Sequence, residues 1–206
     1  KLKVATKPLA QDIATTHAVR AALAPGTPLC ADANCGFTLE AARDYLEATR
    51  AAGLLFLEQP LGHADLEGLA ALARSSAVPI GVDEGIHSLA DVEAHAQAGA
   101  GGISLKLIKL GGFDAALQAA ELCQRLGLRV NVAAKIAESS IGTAAAVHLA
   151  CAVPSIDWGV SLTRFYLAED IVKQLVPLRD GVIELPTGPG LGVDVDEAAV
   201  ARFRIS

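Results

Sequence analysis

Short apolar runs alternate with longer stretches of helical period along almost the whole chain. The runs of β type are Leu2–Ala5, Pro28–Ala33, Leu54–Glu58, Ile80–Asp83, Gly102–Lys106, Arg129–Ala133 and Ile156–Val160. Between them lie Gln11–Leu23, Leu39–Ala52, Leu66–Ser75, Leu89–Ala98, Phe113–Leu126 and Ser139–Ala152, alanine-rich and helical in their spacing. Thr38, Ser88 and Ser139 stand where N-caps belong, and Gly53, Gly99 and Gly127 stand just past the last turns. Each βα unit spans about 25 residues, which suits right-handed parallel crossovers.

Such a chain is an α/β protein, either a doubly wound sheet or a (β/α)8 barrel. No Gly-x-Gly-x-x-Gly follows the first run, and charged residues close several different strands. Strand ends converge on one mouth in a barrel, so a TIM-type barrel is expected. Seven strands leave one βα unit short, at the N-terminal side. The barrel is expected over residues 1–180. The stretch 181–206 opens turn-rich, through Gly181–Gly192, and is expected to leave the barrel and pack elsewhere.

Composition narrows the function. Hydrophobic residues make up 52% of the 206 and charged residues 19%, which rules out a fibrous or disordered chain. The 17 Lys and Arg are outnumbered by 23 Asp and Glu, for a net charge of −6 without a basic block, so no nucleic-acid partner is expected. Even the apolar Ile141–Val153 stretch carries Thr143 and His148 and is too short for a membrane span. No signal peptide is visible, and Cys30, Cys35, Cys123 and Cys151 have no Cys-x-x-Cys spacing. Reduced thiols and a cytoplasmic location are expected. The chain lacks Met and begins at Lys1 inside a strand-like run, so it reads as a piece of something longer.

Three carboxylates end successive strands: Asp32, Glu58 and Asp83, one per βα unit and nearly equally spaced. Three hard oxygen ligands side by side at a barrel mouth suit Mg²⁺. Lysines frame them. Lys1 and Lys3 share a face of one strand, and Lys106 ends the strand after Asp83. Lys109 reads as a solvated surface group. An α-proton beside a carboxylate is weakly acidic, and its loss gives an enediolate that a chelated divalent cation stabilises. A lysine made less basic by burial, by the cation and by a neighbouring lysine can take that proton, with Lys1 supplying like charge to Lys3. Two lysines on opposite faces permit racemisation or epimerisation; the same intermediate permits β-elimination or ring opening.

These residues resemble the enolase superfamily, in its muconate lactonizing enzyme subgroup. The matching pieces are Lys1-Leu-Lys3, Asp32-Ala-Asn34, Glu58-Gln59-Pro60, Asp83-Glu84, the run Ser104 to Gly112 containing Lys106 and Lys109, Glu138 to Gly142, and the Gly188–Gly192 tail. The resemblance implies a modified (β/α)7β barrel whose N-terminal capping domain and first strand are absent from this chain, with the tail after residue 181 turned toward that cap. It implies Asp32, Glu58 and Asp83 as Mg²⁺ ligands and Lys3 and Lys106 as the acid/base pair. Lys1 would assist near the substrate carboxylate, and Asn34 and Glu84 would orient the ligands and Lys106.

Relatives in the mandelate racemase branch use a His–Asp pair. Here Lys135 follows the Arg129–Ala133 strand instead; a substrate contact is one reading of it, and a salt bridge with Glu138 is the expected one. His148, inside a helix, reads as structural. Asp157-Trp-Gly159 resembles half of an Asp-x-Asp pattern that holds a substrate ammonium in dipeptide epimerases. Asp157 is therefore a candidate substrate contact, and Trp158 reads as packing. The leading expectation is a racemase or epimerase of an amino-acid derivative (a dipeptide, N-acyl or N-alkyl amino acid). The alternatives are a cycloisomerase, an o-succinylbenzoate synthase or a hydroxyproline dehydratase, and, outside catalysis, an inactive barrel fragment. The expected partner is a small carboxylate substrate, with self-association into a homo-oligomer.

Overall fold

The computed structural model describes residues 1–205. All seven expected strands form one parallel sheet in chain order. They are β1 (Leu2–Lys3), β2 (Ala31–Asp32), β3 (Leu57–Glu58), β4 (Ile80–Val82), β5 (Gly102–Leu105), β6 (Arg129–Ala133) and β7 (Val160–Ser161). Helices α1 (Leu9–Ala22), α2 (Leu39–Ala48), α3 (Leu66–Ser75), α4 (Leu89–Gln97), the single turn α5 (Leu107–Leu110), α6 (Phe113–Leu126) and α7 (Ser140–Ala152) make the crossovers. The sheet is an open barrel with β1 and β7 at its edges. Its curl is seen in Trp158, just before β7, which stacks on Phe56 just before β3.

Strand parity divides core from site. Ala31, Leu57, Ile80, Val82, Ile103, Leu105, Val130 and Val132 are buried in the hydrophobic core that the helices cover. α6 meets it with a stripe of small residues, Ala116, Ala119, Ala120 and Cys123, at helical spacing and essentially unexposed. The opposite face of the same strands carries Lys3, Asp32, Glu58, Gly81, Ser104 and Asn131, in register with their neighbours. Beneath this polar layer Trp158 and Phe56 stack with centroids 4.1 Å apart and close the floor. Gly81 and Gly102 make room for the indole: a Cβ on Gly102 would lie 2.5 Å from two ring carbons of Trp158.

Several local expectations are corrected. The long helix over Leu39–Ala52 breaks at Thr49, whose hydroxyl turns back to the Tyr45 carbonyl, and continues as a 3₁₀ turn over Arg50–Ala52. Thr38 and Ser88 cap as expected, whereas Ser139 makes no side-chain cap. Asp170, from a distant loop, takes that role. Its carboxylate accepts from the Ser140 amide at 2.9 Å and from the Ser140 hydroxyl at 2.7 Å. The last strand is displaced to Val160–Ser161, because Gly159 adopts φ +83° and resets the alternation ahead of it.

The tail does not simply depart. A two-stranded hairpin, β8 (Leu178–Arg179) with β9 (Val182–Ile183), crosses the expected boundary at 180/181. The chain then returns. Val195 bridges Val172, the Leu191 carbonyl meets His148 Nε2, and α8 (Glu197–Phe203) is tied down by Arg202 to Glu169. His148 is thus a packing residue, as expected. No helix among the described residues is long and apolar enough to cross a membrane.

Candidate active site

The C-terminal strand ends bring the expected residues together. Asp32 and Glu58 are register partners on β2 and β3, and Asp83 follows β4 on the same face. All three are buried, at 1%, 0% and 2% exposure. A buried carboxylate costs several kcal/mol unless paired, and each is paired with lysine. Lys1 bridges Asp32, at 3.1 Å, and Glu58 Oε2. Lys3 donates to Asp32 Oδ2 at 2.5 Å and to Asn34 Oδ1 at 2.7 Å. Lys106 donates to Asp83 Oδ2 at 2.5 Å.

Lys109 departs from expectation. It is no solvated surface group: it donates to Asp83 Oδ1 at 2.6 Å and to the Asp83 carbonyl. The cause is α5, which coils the chain immediately after Lys106 and swings Lys109 back over the end of β4.

The electrostatics differ across the mouth. On the β1–β3 side two ammoniums meet two carboxylates, Lys1 being shared by Asp32 and Glu58 while Lys3 pairs with Asp32 alone. Burial opposes the charge on Lys1, but Glu58 and Asp32 outweigh it and hold its pKa above the ordinary value. Burial raises the pKa of Glu58, and the Asp32 charge adds to this against the pull of Lys1. On the β4–β5 side one carboxylate serves two ammoniums. Burial of Asp83 is outweighed by Lys109 and Lys106, and its pKa falls. Lys109 is lowered, mainly by burial, with Lys106 adding to it against Asp83.

Further polar groups set the carboxylate geometry. Ser104 donates to Glu58 Oε1 at 2.5 Å, Asn131 Nδ2 donates to Ser104 at 3.0 Å, and Ser161 donates to Asn131 Oδ1 at 3.3 Å. This relay crosses β5, β6 and β7 and commits one oxygen of Glu58, leaving Oε2 for a cation. Gln59 staples β3 to β4, accepting from the Asp83 and Gly85 amides at 3.0 and 3.3 Å. Asn34 donates to Glu84 Oε1 at 2.8 Å. Glu84 therefore steadies Asn34; Lys106 is steadied by Asp83. Four of the six non-glycine residues at positive φ (Ala5, Asn34, Cys35 and Gln59) lie one or two positions past these site residues, or next to one that does. Backbone strain of this kind concentrates at functional sites.

Asp157 does not reach the mouth. Its carboxylate accepts from the Val130 amide at 3.2 Å, at the N-terminal end of β6 and the far end of the barrel. Trp158, as expected, packs. The Lys135–Glu138 salt bridge is absent too: Glu138 Oε2 accepts from the Lys135 backbone amide at 3.1 Å.

The donor chemistry fits Mg²⁺, with three buried carboxylates on adjacent strands and one Glu58 oxygen met only by an ammonium. Among the described residues, no three of His, Cys, Asp and Glu converge closely enough to hold a metal ion. Lysine ammoniums lie against the acids instead, with Lys1 between Asp32 and Glu58, where a shared cation would sit.

An open (β/α) barrel with acids and lysines at its strand ends defines a class. Residues 1–199 match the enolase C-terminal domain-like family, and the chain belongs to that family. The chloromuconate cycloisomerase of Cupriavidus pinatubonensis is 33% identical over 98% of this chain. Muconate cycloisomerase 1 of Rhodococcus opacus is 34% identical over the same share. The structure of the muconate lactonizing enzyme from Pseudomonas putida superposes with a TM-score of 0.93 at 29% identity, covering 98% of this chain and 57% of that one. The chain spans 55% of the length of each of the two cycloisomerases.

Proposed function

We propose that this chain is the catalytic barrel of a Mg²⁺-dependent isomerase that moves a proton on the carbon beside a carboxylate, and that its reaction is a cycloisomerisation of a muconate-like diacid. Lys3 and Lys106 carry this reading, because they end strands on opposite sides of the three carboxylates. In ring closure one carboxylate oxygen adds to the carbon β to the other carboxylate. The double-bond electrons shift to the α carbon, which takes its proton from a lysine ammonium. In ring opening the same lysine, neutral, removes that proton and the carbon–oxygen bond breaks. Asp32, Glu58 and Asp83 would hold the cation. When bound, Mg²⁺ would stabilise the charge that develops on the substrate carboxylate. Lys1 and Lys109 keep Asp32, Glu58 and Asp83 paired until the cation and substrate arrive.

Relatives named as cycloisomerases support this outcome over racemisation of an amino-acid derivative. The residue that pointed to an amine-bearing substrate, Asp157, lies at the far end of the barrel. The test is incubation with cis,cis-muconate and Mg²⁺ in heavy water. A lactone carrying one deuterium beside its free carboxylate is expected. Absence of lactone, together with deuterium exchange into both enantiomers of an N-acyl amino acid, would restore the racemase.

A further inference from the structure

Glu58 is held unevenly. Its Oε1 accepts from the Ser104 hydroxyl at 2.5 Å, while its Oε2 is buried and faces only the Lys1 ammonium among the described residues. The chain of donors behind Ser104 has one possible direction. With the Ser104 proton spent on the carboxylate, its oxygen can only accept, so Asn131 turns its NH₂ to it at 3.0 Å. The Asn131 carbonyl oxygen is left to accept from the Ser161 hydroxyl at 3.3 Å. Ser104 and Asn131 are register partners on β5 and β6 and are each 1% exposed, so bulk water does not compete for Oε1.

Asp32 is divided in the same way. Its Oδ1 accepts from the Asn34 amide at 3.0 Å, and its Oδ2 meets the ammoniums of Lys1 and Lys3. Neutral, fixed donors therefore hold one oxygen of each acid, and Lys1 bridges the two oxygens that remain, Asp32 Oδ2 and Glu58 Oε2. A cation taking the place of Lys1 meets one oxygen from each carboxylate. That suits Mg²⁺, whose near-octahedral shell takes carboxylates through single oxygens. Ca²⁺ fits less well, because it takes about 6–8 oxygens and readily uses both oxygens of one carboxylate.

We propose that Ser104, braced by Asn131 and Ser161, is a positioning residue that restricts Glu58 to a single cation-facing oxygen and so selects Mg²⁺ against Ca²⁺. This rests on the proposed role of Asp32, Glu58 and Asp83 as cation ligands and deepens it. The acids supply the charge, and a serine on β5, a strand that contributes none of them, sets how many oxygens the ion receives. Glu58 is where this can be tested, because its second oxygen is tied by a side chain that substitution removes, whereas that of Asp32 is tied by backbone.

The test is calorimetric titration of the chain with Mg²⁺ and, separately, with Ca²⁺, read as the Ca²⁺ Kd divided by the Mg²⁺ Kd. Ser104→Ala frees Oε1, and the ratio should fall about tenfold, the scale of one hydrogen bond to a charged group. Ser104→Thr keeps the hydroxyl and should keep the wild-type ratio. Asn131→Ala leaves the Ser104 hydroxyl in place but unbraced and should also bring the ratio below wild type, which tests the relay even if Ser104→Ala does not fold. Cooperative urea unfolding identifies the folded variants. A merely structural role would weaken both ions alike. A ratio that stays at the wild-type value in the folded variants overturns the selectivity role of Ser104 while the three acids still bind Mg²⁺. Wild type that takes up no Mg²⁺ removes the cation site itself, and the role of Ser104 with it.

Discussion

Gly102→Ala puts the barrel floor to the test. A Cβ at this position would sit 2.5 Å from Trp158 Cη2 and Cζ3 and 2.5 Å from the Arg129 carbonyl oxygen. Ordinary carbon contacts lie at about 3.5–4.0 Å, so about 1 Å of room must be made. Neither side yields cheaply. The Arg129 carbonyl belongs to the strand that pairs with β5 through Gly102, and Trp158 can move only by leaving Phe56. Overpacking costs about 1–3 kcal/mol and loss of the stack about 0.5–1.5 kcal/mol, offset by about 0.4–1 kcal/mol from a stiffer unfolded chain. We predict a net loss of about 2–3 kcal/mol, lowering Tm by about 5–10 °C. Urea unfolding followed by circular dichroism measures the loss, and Trp158, the sole tryptophan, reports on the floor by its emission. Gly62→Ala is the control: nothing lies within 4 Å of its Cβ, so it should stay within about 0.5 kcal/mol of wild type. Equal stability of the two variants, with unaltered Trp158 emission, would refute the packing described for the floor.

Glu58→Gln should stabilise the metal-free protein by about 1–2 kcal/mol, because it removes a buried charge that shares one ammonium with Asp32. Since the folded pKa of Glu58 is raised, its ionisation weighs against the fold above that pKa. The gap to wild type should narrow as pH falls from neutrality toward the ordinary value of 4.5; a widening gap in thermal melts would contradict this. Asp157→Ala should cost about 1 kcal/mol of stability by freeing the Val130 amide, and should leave Mg²⁺ affinity unchanged. A tenfold weaker Mg²⁺ site in that variant would place Asp157 at the mouth after all. Toward a thiol reagent at pH 8, exposed Cys151 should react at once. Buried Cys123, its thiol pushed up to about 12 by burial, should react only on unfolding.

The barrel was legible because parallel strands covered on one face by helices read as apolar runs, and helical stretches of similar length separate them. The acids were legible because one carboxylate closes each of three successive strands. What escaped depended on departures from regular period. Lys109 reads as solvent-facing if the strand after Lys106 stays extended; a single helical turn reverses it. Asp157 shares its run with Trp158, and a left-handed Gly159 shifts the strand so that the indole becomes floor and the carboxylate is left at the wrong end. Ser104, Asn131 and Ser161 carry polar side chains in or at the ends of apolar runs. Counting back two residues from Lys106 does place Ser104 on the site face, a signal that was available. Asp170 capping α7 from a loop thirty residues away had no local trace.

Calorimetric titration of the chain with Mg²⁺ bears most directly on the site. A single Mg²⁺ should bind, displacing Lys1 from between Asp32 and Glu58, and Asp32→Asn, Glu58→Gln and Asp83→Asn should each weaken it by about tenfold or more. Wild type that takes up no Mg²⁺, or three variants that bind it as tightly as wild type, would show that these acids serve only their lysines.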